Sequence, residues 1–211
     1  MVKNTGFVRN KCLILLILVA LMSSCVKVKQ CYISDEAKVW FVDDDKRECI
    51  IRDENGIERG LHVSTPSIQF LEESSSSFMT TNKTERESMD QKGYLDYSTG
   101  YYVTVTAGWG TEVNVDDKFE IGLHGLPFTF SIRGKTLTPV RKESPKIEFT
   151  SELLESFEVD GVSYADVLHI QLVEYELLRD NDPIEIYYAK HYGLIQYTIH
   201  YGITYFRLPA E

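Results

Sequence analysis

Apolar and polar residues alternate along much of this 211-residue chain, one position at a time. The pattern is plain in residues 101–106 (YYVTVT), 128–133 (FTFSIR) and 163–172 (SYADVLHIQL). An extended strand points successive side chains to opposite faces, so a period of two places one face on a core and the other in water. The alternation therefore predicts half-buried β-strands and disfavours a chain built from amphipathic helices.

Turn-forming residues separate the alternating segments. Asn55-Gly56 and Asp160-Gly161 supply the positive backbone φ angles that two-residue hairpin turns require. Gly134 and Asp116-Asp117 mark two more reversals of the chain. Because parallel strands need long crossover connections, at least four sequential reversals indicate an antiparallel meander.

These patterns predict a single, mainly β domain. Apolar residues make up 43% of the chain, which is enough for a packed core. We expect the antiparallel meander strands to form a curved sheet or half-open barrel, with one or two short helices. The helices are predicted at residues 82–92 and 151–157, although the second segment also fits a strand. Residues 71–81 form the least ordered segment, with Ser74–Ser77 as an exposed loop.

The N-terminus has the proportions of a secretory signal peptide. Lys3, Arg9 and Lys11 provide a basic start, and residues 12–22 form an unbroken apolar run. A membrane-spanning helix needs about 20 apolar residues, whereas a signal peptide needs about 7–15 after its basic start. The sequence therefore predicts a signal peptide over residues 1–24.

Residues 22–25 (MSSC) resemble the lipobox of bacterial lipoproteins, which is an aliphatic residue, two small residues and a cysteine. The resemblance implies cleavage before Cys25, diacylglycerol on its sulfur, and an acyl chain on its new amino group. Within the family, a residue other than aspartate at Val26, with no acidic run after it, implies an outer-membrane position facing the periplasm. Residues 25–36 would then form a lipid anchor and tether, and residues 37–211 the β-rich domain.

Two cysteines, Cys31 and Cys49, remain beyond the signal peptide and the anchor. In an oxidising compartment such a pair commonly forms a disulfide. In the chain-entropy model, closing a loop of this length stabilises a fold by about 3 kcal/mol. Two buried thiols are the alternative, because neither cysteine belongs to a CxxC motif.

The chain is acidic, with 32 Asp and Glu against 22 Lys and Arg and a formal net charge of −10. Such a surface repels phosphate backbones, so nucleic acid is not an expected partner. It also repels anionic lipid surfaces. Contact with a membrane is therefore expected through an acyl anchor rather than through a basic patch.

Catalytic, cofactor and metal-binding motifs are incomplete in this sequence. Gly134-Lys135-Thr136 is similar to the end of a phosphate-binding loop, but Thr129 stands where the motif needs glycine. Ser163 follows a strand-to-strand turn, whereas the serine of a nucleophile elbow needs a strand-to-helix turn. We therefore predict no catalytic residue, no metal site and no cofactor, and we expect no enzymatic activity.

Two histidines and two acidic loops are weaker candidates for a site. His191 and His200 flank a predicted hairpin, which would bring them near each other. Asp43–Asp45 and Asp180–Asp182 offer oxygen ligands for a surface calcium ion, although neither loop has the spacing of an EF-hand. Hydrogen-bonded histidines and solvated turns explain the same features without any ligand.

Tyrosines cluster in residues 94–109 and near the C-terminus. Tyrosine suits a half-exposed strand because its ring packs while its hydroxyl stays wet. One interpretation is a set of cross-strand aromatic pairs that stabilise the sheet. The other is a concave aromatic face that binds a glycan, a lipid or a peptide. The candidate ligand-facing residues are Tyr97, Tyr101, Trp109, Tyr188 and Tyr197.

Residues 187–190 (YYAK) and 193–195 (GLI) resemble the closing hairpin of several secreted β-rich bacterial lipoproteins of unknown function. The resemblance implies a fold and a compartment, and it supplies no catalytic residues. We therefore expect a lipid-anchored envelope lipoprotein with a non-enzymatic binding or assembly role, whose partner is an envelope protein, a glycan or a lipid. The alternatives are an envelope hydrolase that acts on glycan or peptide, and a periplasmic carrier for lipid or lipoprotein.

Overall fold

The computed structural model describes residues 26–77, 80–95, 98–109, 116–140, 142–143 and 146–208. The predicted signal peptide, Cys25 and Tyr97 lie outside these ranges. Most of the described residues are in strands. The elements are β1 (Val26–Cys31), α1 (Asp35–Lys38), a 3₁₀ helix (Asp44–Lys46), β2 (Glu48–Asp53), β3 (Glu58–Val63), β4 (Ser67–Ser77), β5 (Thr80–Leu95), β6 (Ser98–Trp109), β7 (Asp116–Leu123), β8 (Leu126–Arg133), β9 (Thr136–Pro139), β10 (Lys142–Glu143), β11 (Lys146–Val159), β12 (Val162–Tyr175), β13 (Pro183–Ala189), β14 (Gly193–Ile199) and β15 (Thr204–Arg207).

The described residues divide into two compact units, and the first contains residues 26–31 and 70–86. In this unit β1 pairs in parallel with residues 81–86 of β5, and β4 also pairs with β5. Lys83 lies 2.7 Å from Glu72, and Arg86 lies 3.2 Å from Glu73. Exposed ion pairs of this kind stabilise a fold by at most about 1 kcal/mol each. The backbone hydrogen bonds between the paired strands are therefore the main interaction that holds this unit together. Part of the segment predicted as a tether is therefore a strand.

The second unit contains residues 32–69 and 87–208 and is one antiparallel sheet. Its strand order is β10-β11-β12-β13-β14-β15-β2-β3-β5-β6-β7-β8-β9. Most neighbours in this order are also neighbours in sequence, as expected of a meander. The exceptions include β15 with β2, where Tyr205 pairs with Asp53. The prediction of a mainly β, antiparallel fold is confirmed.

Aromatic rings join strands that lie far apart in this order. Tyr188 on β13 packs edge-on against Tyr101 on β6, with ring centroids 6.3 Å apart. Phe149 on β11 contacts Phe128 and Phe130 on β8 at 5.2 and 5.4 Å. Since β11 and β8 each stand one strand from an end of the order, the sheet must curl until its ends face each other. The second unit is thus a curved sheet of the half-open barrel kind, with a core filled by rings.

A segment that we call the N-terminal strap, residues 32–43, packs against this core. It buries Trp40, which lies 5.3 Å from the ring of Phe119. Its backbone is held by polar side chains of the sheet. Ser34 donates to Asp117 from both its N–H, at 2.9 Å, and its hydroxyl, at 2.6 Å. The strap therefore depends on buried polar side chains as well as on apolar contacts.

Gln91 of β5 is fully buried and fastens the far end of the strap. Its Oε1 accepts the N–H of Val42 at 2.7 Å. Its Nε2 donates to the carbonyls of Val42, at 3.2 Å, and Ser64, at 3.1 Å. A buried amide must find such partners, because an unsatisfied polar group costs about 1–3 kcal/mol.

Both segments for which a helix was considered are strands in the structure. The helix at 82–92 was wrong, whereas for 151–157 the alternative strand interpretation is confirmed. Residues 82–92 lie in β5, where 88–92 pair with β6. Residues 151–157 lie in β11 and pair with β12. Ser74–Ser77, expected in a loop, belongs to β4. In each case the ladder satisfies the backbone polar groups, and this tertiary gain outweighs a weak local preference.

The hairpin predictions were partly correct. Asp160 and Gly161 have φ angles of 48° and 79° and form the tight β11–β12 turn. Gly134, with φ of 56°, begins the β8–β9 turn. Residues 54–57 form a longer loop than the predicted two-residue turn. Asp116-Asp117 is not a reversal but the start of β7.

Candidate functional site

A cleft of about 260 Å³ opens in the second unit. It is built by strands β3, β5, β14 and β15, the β7–β8 turn and the β12–β13 loop. We call it the tyrosine cleft. Its lining residues are Arg59, Leu95, His124, Asn181, Tyr197, Ile199 and Tyr205. Because these elements are distant in sequence, the cleft exists only in the folded sheet.

His124 reaches the cleft from the tight turn between β7 and β8. The turn is a His124-Gly125 pair with φ angles of 51° and 87°, and the His124 N–H donates to Gly100 O at 3.2 Å. The imidazole lies 5.8 Å from the ring of Tyr197. Asp117, which holds the N-terminal strap, stands seven residues earlier on β7, or roughly 23 Å along an extended strand. The cleft and the strap contact therefore lie at opposite ends of β7.

Burial and neighbouring charge keep His124 neutral. Burial is the main cause that lowers the pKa of its imidazole. The cation of Arg59 lowers this pKa further, and the carboxylate of Asp182 opposes both effects. At neutral pH the side chain therefore offers one N–H donor and one nitrogen acceptor to a ligand.

Tyr197 and Tyr205 form a cross-strand pair on β14 and β15. Their rings are stacked, with centroids 4.7 Å apart and planes 11° apart. Tyr197 is almost fully buried, whereas Tyr205 is half-buried and keeps part of its ring accessible. Burial raises the pKa of Tyr197, although the nearby cation of Arg59 partly offsets this effect. The cleft thus has an aromatic wall in which the Tyr197 hydroxyl stays protonated.

Arg59 is the charged member of the cleft. Within the described parts of the chain, no carboxylate forms an ion pair with its exposed guanidinium. The lining residues that the structure describes include no Asp or Glu. A glycosidase needs two carboxylates that flank its substrate, so this cleft gives paired-carboxylate hydrolysis no support.

The β12–β13 loop presents Asn181 to the cleft in a fixed arrangement. Asp182 is buried and accepts the N–H of Arg179 at 2.8 Å. His200 and Tyr201 of the next turn donate their N–H groups to Asp182 O and Asp180 O at 2.9 and 3.0 Å. The Asp182 carboxylate is therefore engaged inside its own loop. No group of three metal-ligating side chains occurs among the residues that the structure describes.

The aromatic residues predicted to face a ligand occupy different environments in the structure. Tyr197 lines the cleft. Tyr101 and Tyr188 are 1% and 0% exposed, belong to the core and do not line the cleft. Tyr97 lies outside the described residues, and only the backbone of Trp109 is described.

Sequence reasoning missed most of the cleft. Arg59 carried no local signal. Asn181 lies in the second acidic loop and Tyr205 in the C-terminal tyrosine cluster, but neither was a candidate ligand-facing residue. His124 did carry one, because a residue–glycine pair stands between the alternating segments FEIGL and LPFTF. Such a pair predicts a hairpin turn whose first side chain projects at the end of the sheet.

A second polar cluster surrounds His169 on the outer face of β12. Its two ring nitrogens lie 2.9 Å from Glu152 Oε1 and 3.0 Å from Glu185 Oε1. The imidazole stacks on Tyr187 at 4.4 Å, and the Tyr187 hydroxyl donates to Glu185 at 3.0 Å. Burial, then the hydrogen bond to Glu185, raises the pKa of Tyr187 to about 12. The imidazole therefore lies between the two carboxylates and is hydrogen-bonded to both.

The histidine pair and the first acidic loop also differ from expectation. His191 is hydrogen-bonded to Asp43 at 3.1 Å, not to His200. Asp43 also accepts from Lys46 at 3.1 Å, and Asp44 pairs with Arg47. Burial raises the pKa of Asp43, but the bonds to Lys46 and His191 outweigh it, so the net shift is downward. These carboxylates are occupied by cations and by histidine, which leaves the predicted calcium contact without support.

Cys31 is buried and Cys49 is half-buried, and both are free thiols in the structure. Burial raises the pKa of the Cys49 thiol, while the cation of Arg207 opposes this shift. The disulfide between them stays a prediction, and so does the acylation of Cys25.

None of the helices in the described ranges has the length and apolar character that a membrane crossing requires. Comparison with known proteins finds no matching family model, no matching curated protein and no matching solved structure.

Proposed function

We propose that this chain is a lipid-anchored lipoprotein of the cell envelope with a non-enzymatic binding role. The basic start, the apolar run of residues 12–22 and the MSSC lipobox support the anchor at Cys25. By analogy with lipoproteins that carry the same sorting features, the protein sits at the outer membrane and faces the periplasm. In this position the β-rich domain binds a ligand that is present in the periplasm.

In this proposal the tyrosine cleft is the ligand site. Its ligand is a small polar ring, and the preferred candidate is a sugar residue of a glycan. The stacked pair of Tyr197 and Tyr205, flanked by Arg59, His124 and Asn181, is the observation that carries it. A sugar ring offers C–H faces that pack on an aromatic ring and hydroxyls that need fixed donors and acceptors. Ligand pockets usually span about 300–1,000 Å³, so a cleft of about 260 Å³ suits a single ring.

A binding role is better supported than a carrier role. A carrier for acyl chains needs a dry, apolar cavity of its own. The centre of the second unit is instead occupied by fully buried side chains, among them Trp40, Phe119 and Phe130. Interiors packed in this way leave little space for a lipid.

The ligand site is tested with acylated, full-length protein in detergent micelles. Binding of neutral and acidic monosaccharides is measured by calorimetry for the wild type and for Tyr205→Ala and Tyr201→Ala. Tyr201 is 74% exposed in the β14–β15 turn and does not line the cleft, so it is the matched control. We expect Tyr205→Ala to abolish binding and Tyr201→Ala to preserve it. Absence of binding to the wild type, or equal loss in both variants, would contradict the proposal.

The anchor is tested separately by Cys25→Ser. We expect the variant to lose its acyl chains and to leave the membrane fraction, because each buried CH₂ contributes about 0.8 kcal/mol to anchoring. A variant that keeps the processing pattern and the membrane partitioning of the wild type would refute the anchor and leave the cleft untouched.

A further inference from the structure

We infer that the ring bound in the tyrosine cleft carries a carboxylate, and that Arg59 is the residue that selects it. The ligand class is therefore an acidic sugar. The inference rests on the proposed function, since it names the chemistry of the ligand for the same cleft.

The first argument is the missing partner of Arg59. Four other arginines of the described ranges form ion pairs with carboxylates, among them Arg52, 2.9 Å from Asp160, and Arg133, 2.8 Å from Asp116. Arg179 forms none there, but it does not line the cleft. Arg59 has no such ion pair in the described ranges, although acidic residues outnumber basic ones by 32 to 22. A guanidinium left open at the wall of a cleft is available to an anion that enters from solvent.

The second argument is the position of the guanidinium relative to the aromatic wall. The charge of Arg59 acts on both His124 and Tyr197, so it lies close to two other lining residues. A ring packed on Tyr205 would therefore place its substituents within reach of Arg59. Planar guanidinium groups bind planar carboxylates through two parallel N–H donors, which fixes the orientation of the ring.

The third argument decides between a carboxylate and a phosphate. Among the described lining residues Arg59 is the only one with a permanent charge, because burial favours the neutral form of His124. The carboxylate of Asp182 also acts on His124, but it lies outside the lining and accepts the N–H of Arg179 within its own loop. One cation balances one carboxylate. A phosphate monoester carries up to two negative charges, and its excess charge would face a protein with a net charge of −10. The cleft therefore suits a monoanionic sugar acid better than a sugar phosphate.

The remaining polar groups fit the rest of such a ring. His124 offers one donor and one acceptor, the amide of Asn181 offers two donors and an acceptor, and the tyrosine hydroxyls offer both. These neutral groups suit the hydroxyls of a sugar. The carboxylate then supplies the charge-assisted contact, which is roughly twice as strong as a neutral one.

The experiment uses acylated, full-length protein and three matched pairs of probes. The pairs are glucuronate and glucose, galacturonate and galactose, and N-acetylmuramate and N-acetylglucosamine, with glucose 6-phosphate as a further arm. We expect at least one acid to bind about tenfold or more tightly than its neutral parent, as a charge-assisted hydrogen bond allows. We also expect added salt to weaken binding of the acid more than binding of its neutral parent.

Two arginine variants distinguish selection of the acid by Arg59 from a general effect of positive charge on acid binding. Arg59→Gln should bring the affinity for the acid to within about twofold of the affinity for its neutral parent. Arg179→Gln removes the same charge from the β12–β13 loop without touching the lining, and it should leave the preference intact. Circular dichroism and thermal melts check that both variants fold.

The outcomes separate the inference from the proposed function. If neutral sugars bind as well as their acids, or if glucose 6-phosphate binds more tightly than every acid, the carboxylate inference is overturned and sugar binding stands. If Arg59→Gln and Arg179→Gln weaken binding of the acid equally, Arg59 is not the residue that selects the carboxylate. If none of the seven probes binds, both the inference and the proposed function fall.

Discussion

The hydroxyl of Tyr188 donates a hydrogen bond of 2.8 Å to the backbone carbonyl of Trp40. Both residues are buried, and 148 positions separate them in the chain. The bond joins β13 to the N-terminal strap, and Trp40 packs 6.3 Å from the ring that makes it. It therefore helps to hold the strap against the core of the second unit.

Removing this hydroxyl should destabilise the fold. Tyr188→Phe keeps the ring but leaves the carbonyl of Trp40 buried without that donor, which costs about 1–3 kcal/mol of the free energy of unfolding. Urea denaturation measures the change. Tyr201→Phe is the control, because Tyr201 is 74% exposed and should leave the stability unchanged. A Tyr188→Phe variant as stable as the wild type would show that the bond is not needed.

The amide of Gln91 should matter more than its apolar stem. Gln91→Met keeps the length of the side chain and removes three hydrogen bonds to Val42 and Ser64. We expect a loss of about 2–4 kcal/mol, because several backbone groups are left unsatisfied. Hydrogen exchange should show faster opening of the Val42 amide. Gln171→Met, at an exposed position, controls for the substitution itself, and equal exchange rates in both variants would contradict the prediction.

His124 should make the fold less stable in mild acid. Burial and the Arg59 cation lower its pKa in the folded state, against the opposing carboxylate of Asp182. The unfolded chain therefore binds a proton first as the pH falls below the ordinary histidine value of about 6.5. The stability that neutral His124 permits is fully present above that pH and decreases as the pH falls toward the lowered pKa.

This dependence is measured as the free energy of unfolding at pH 8 and at pH 5. His124→Gln should lose less stability between the two than the wild type does, because glutamine does not titrate. His200→Gln, at an exposed turn, is the control and should keep the slope of the wild type. Identical slopes in the two variants would remove His124 as the cause.

Two glycine positions form a matched pair with different surroundings. Gly193 and Gly125 have similar positive φ angles, 80° and 87°. A β-carbon at Gly193 would lie 2.5 Å from Cγ2 of Val42 and 2.9 Å from the Tyr101 hydroxyl, whereas nothing lies within 4 Å at Gly125. Gly125→Ala should cost about 1–2 kcal/mol, the backbone strain alone. Gly193→Ala should cost clearly more because it adds a clash, and chemical denaturation of both variants decides whether the costs differ.

The cysteine pair gives a redox prediction. If Cys31 and Cys49 are bridged in the mature protein, neither reacts with a maleimide in urea until a reductant is added. Gel mobility after labelling counts the reactive thiols, and Cys49→Ser should expose Cys31 to the reagent. Full labelling of both cysteines without reductant would show that they remain the free thiols of the structure.

Local signals in the sequence were sufficient for the type and direction of most strands. The alternation in 101–106 and 128–133 predicted β6 and β8, because every second side chain of a half-buried strand faces the core and is apolar. Asp160-Gly161 predicted a tight turn, since the positive φ angles belong to those residues alone. Such features depend on neighbours within a few positions, and a sequence contains them directly.

Buried polar residues misled the sequence prediction. Residues 82–92, predicted as a helix, include Glu87 and Gln91, and both side chains are buried in β5. Glu87 accepts the N–H of Ile33 at 2.9 Å, and Gln91 binds the strap at Val42. Their partners lie about fifty positions away in the chain, so nothing local could indicate that they would be satisfied.

The sequence by itself determined a mainly β chain, its antiparallel meander and the tyrosine-rich strands, because periodicity and turn residues act over short distances. Only the tertiary structure decided which tyrosines are core and which line a cleft. Pairing of β15 with β2 and of β3 with β5 closes the sheet across long separations and brings Arg59, His124 and Tyr205 to one place. The curvature that buries Tyr101 and Tyr188 and leaves Tyr205 accessible is a property of the whole sheet, which no single segment of the chain encodes.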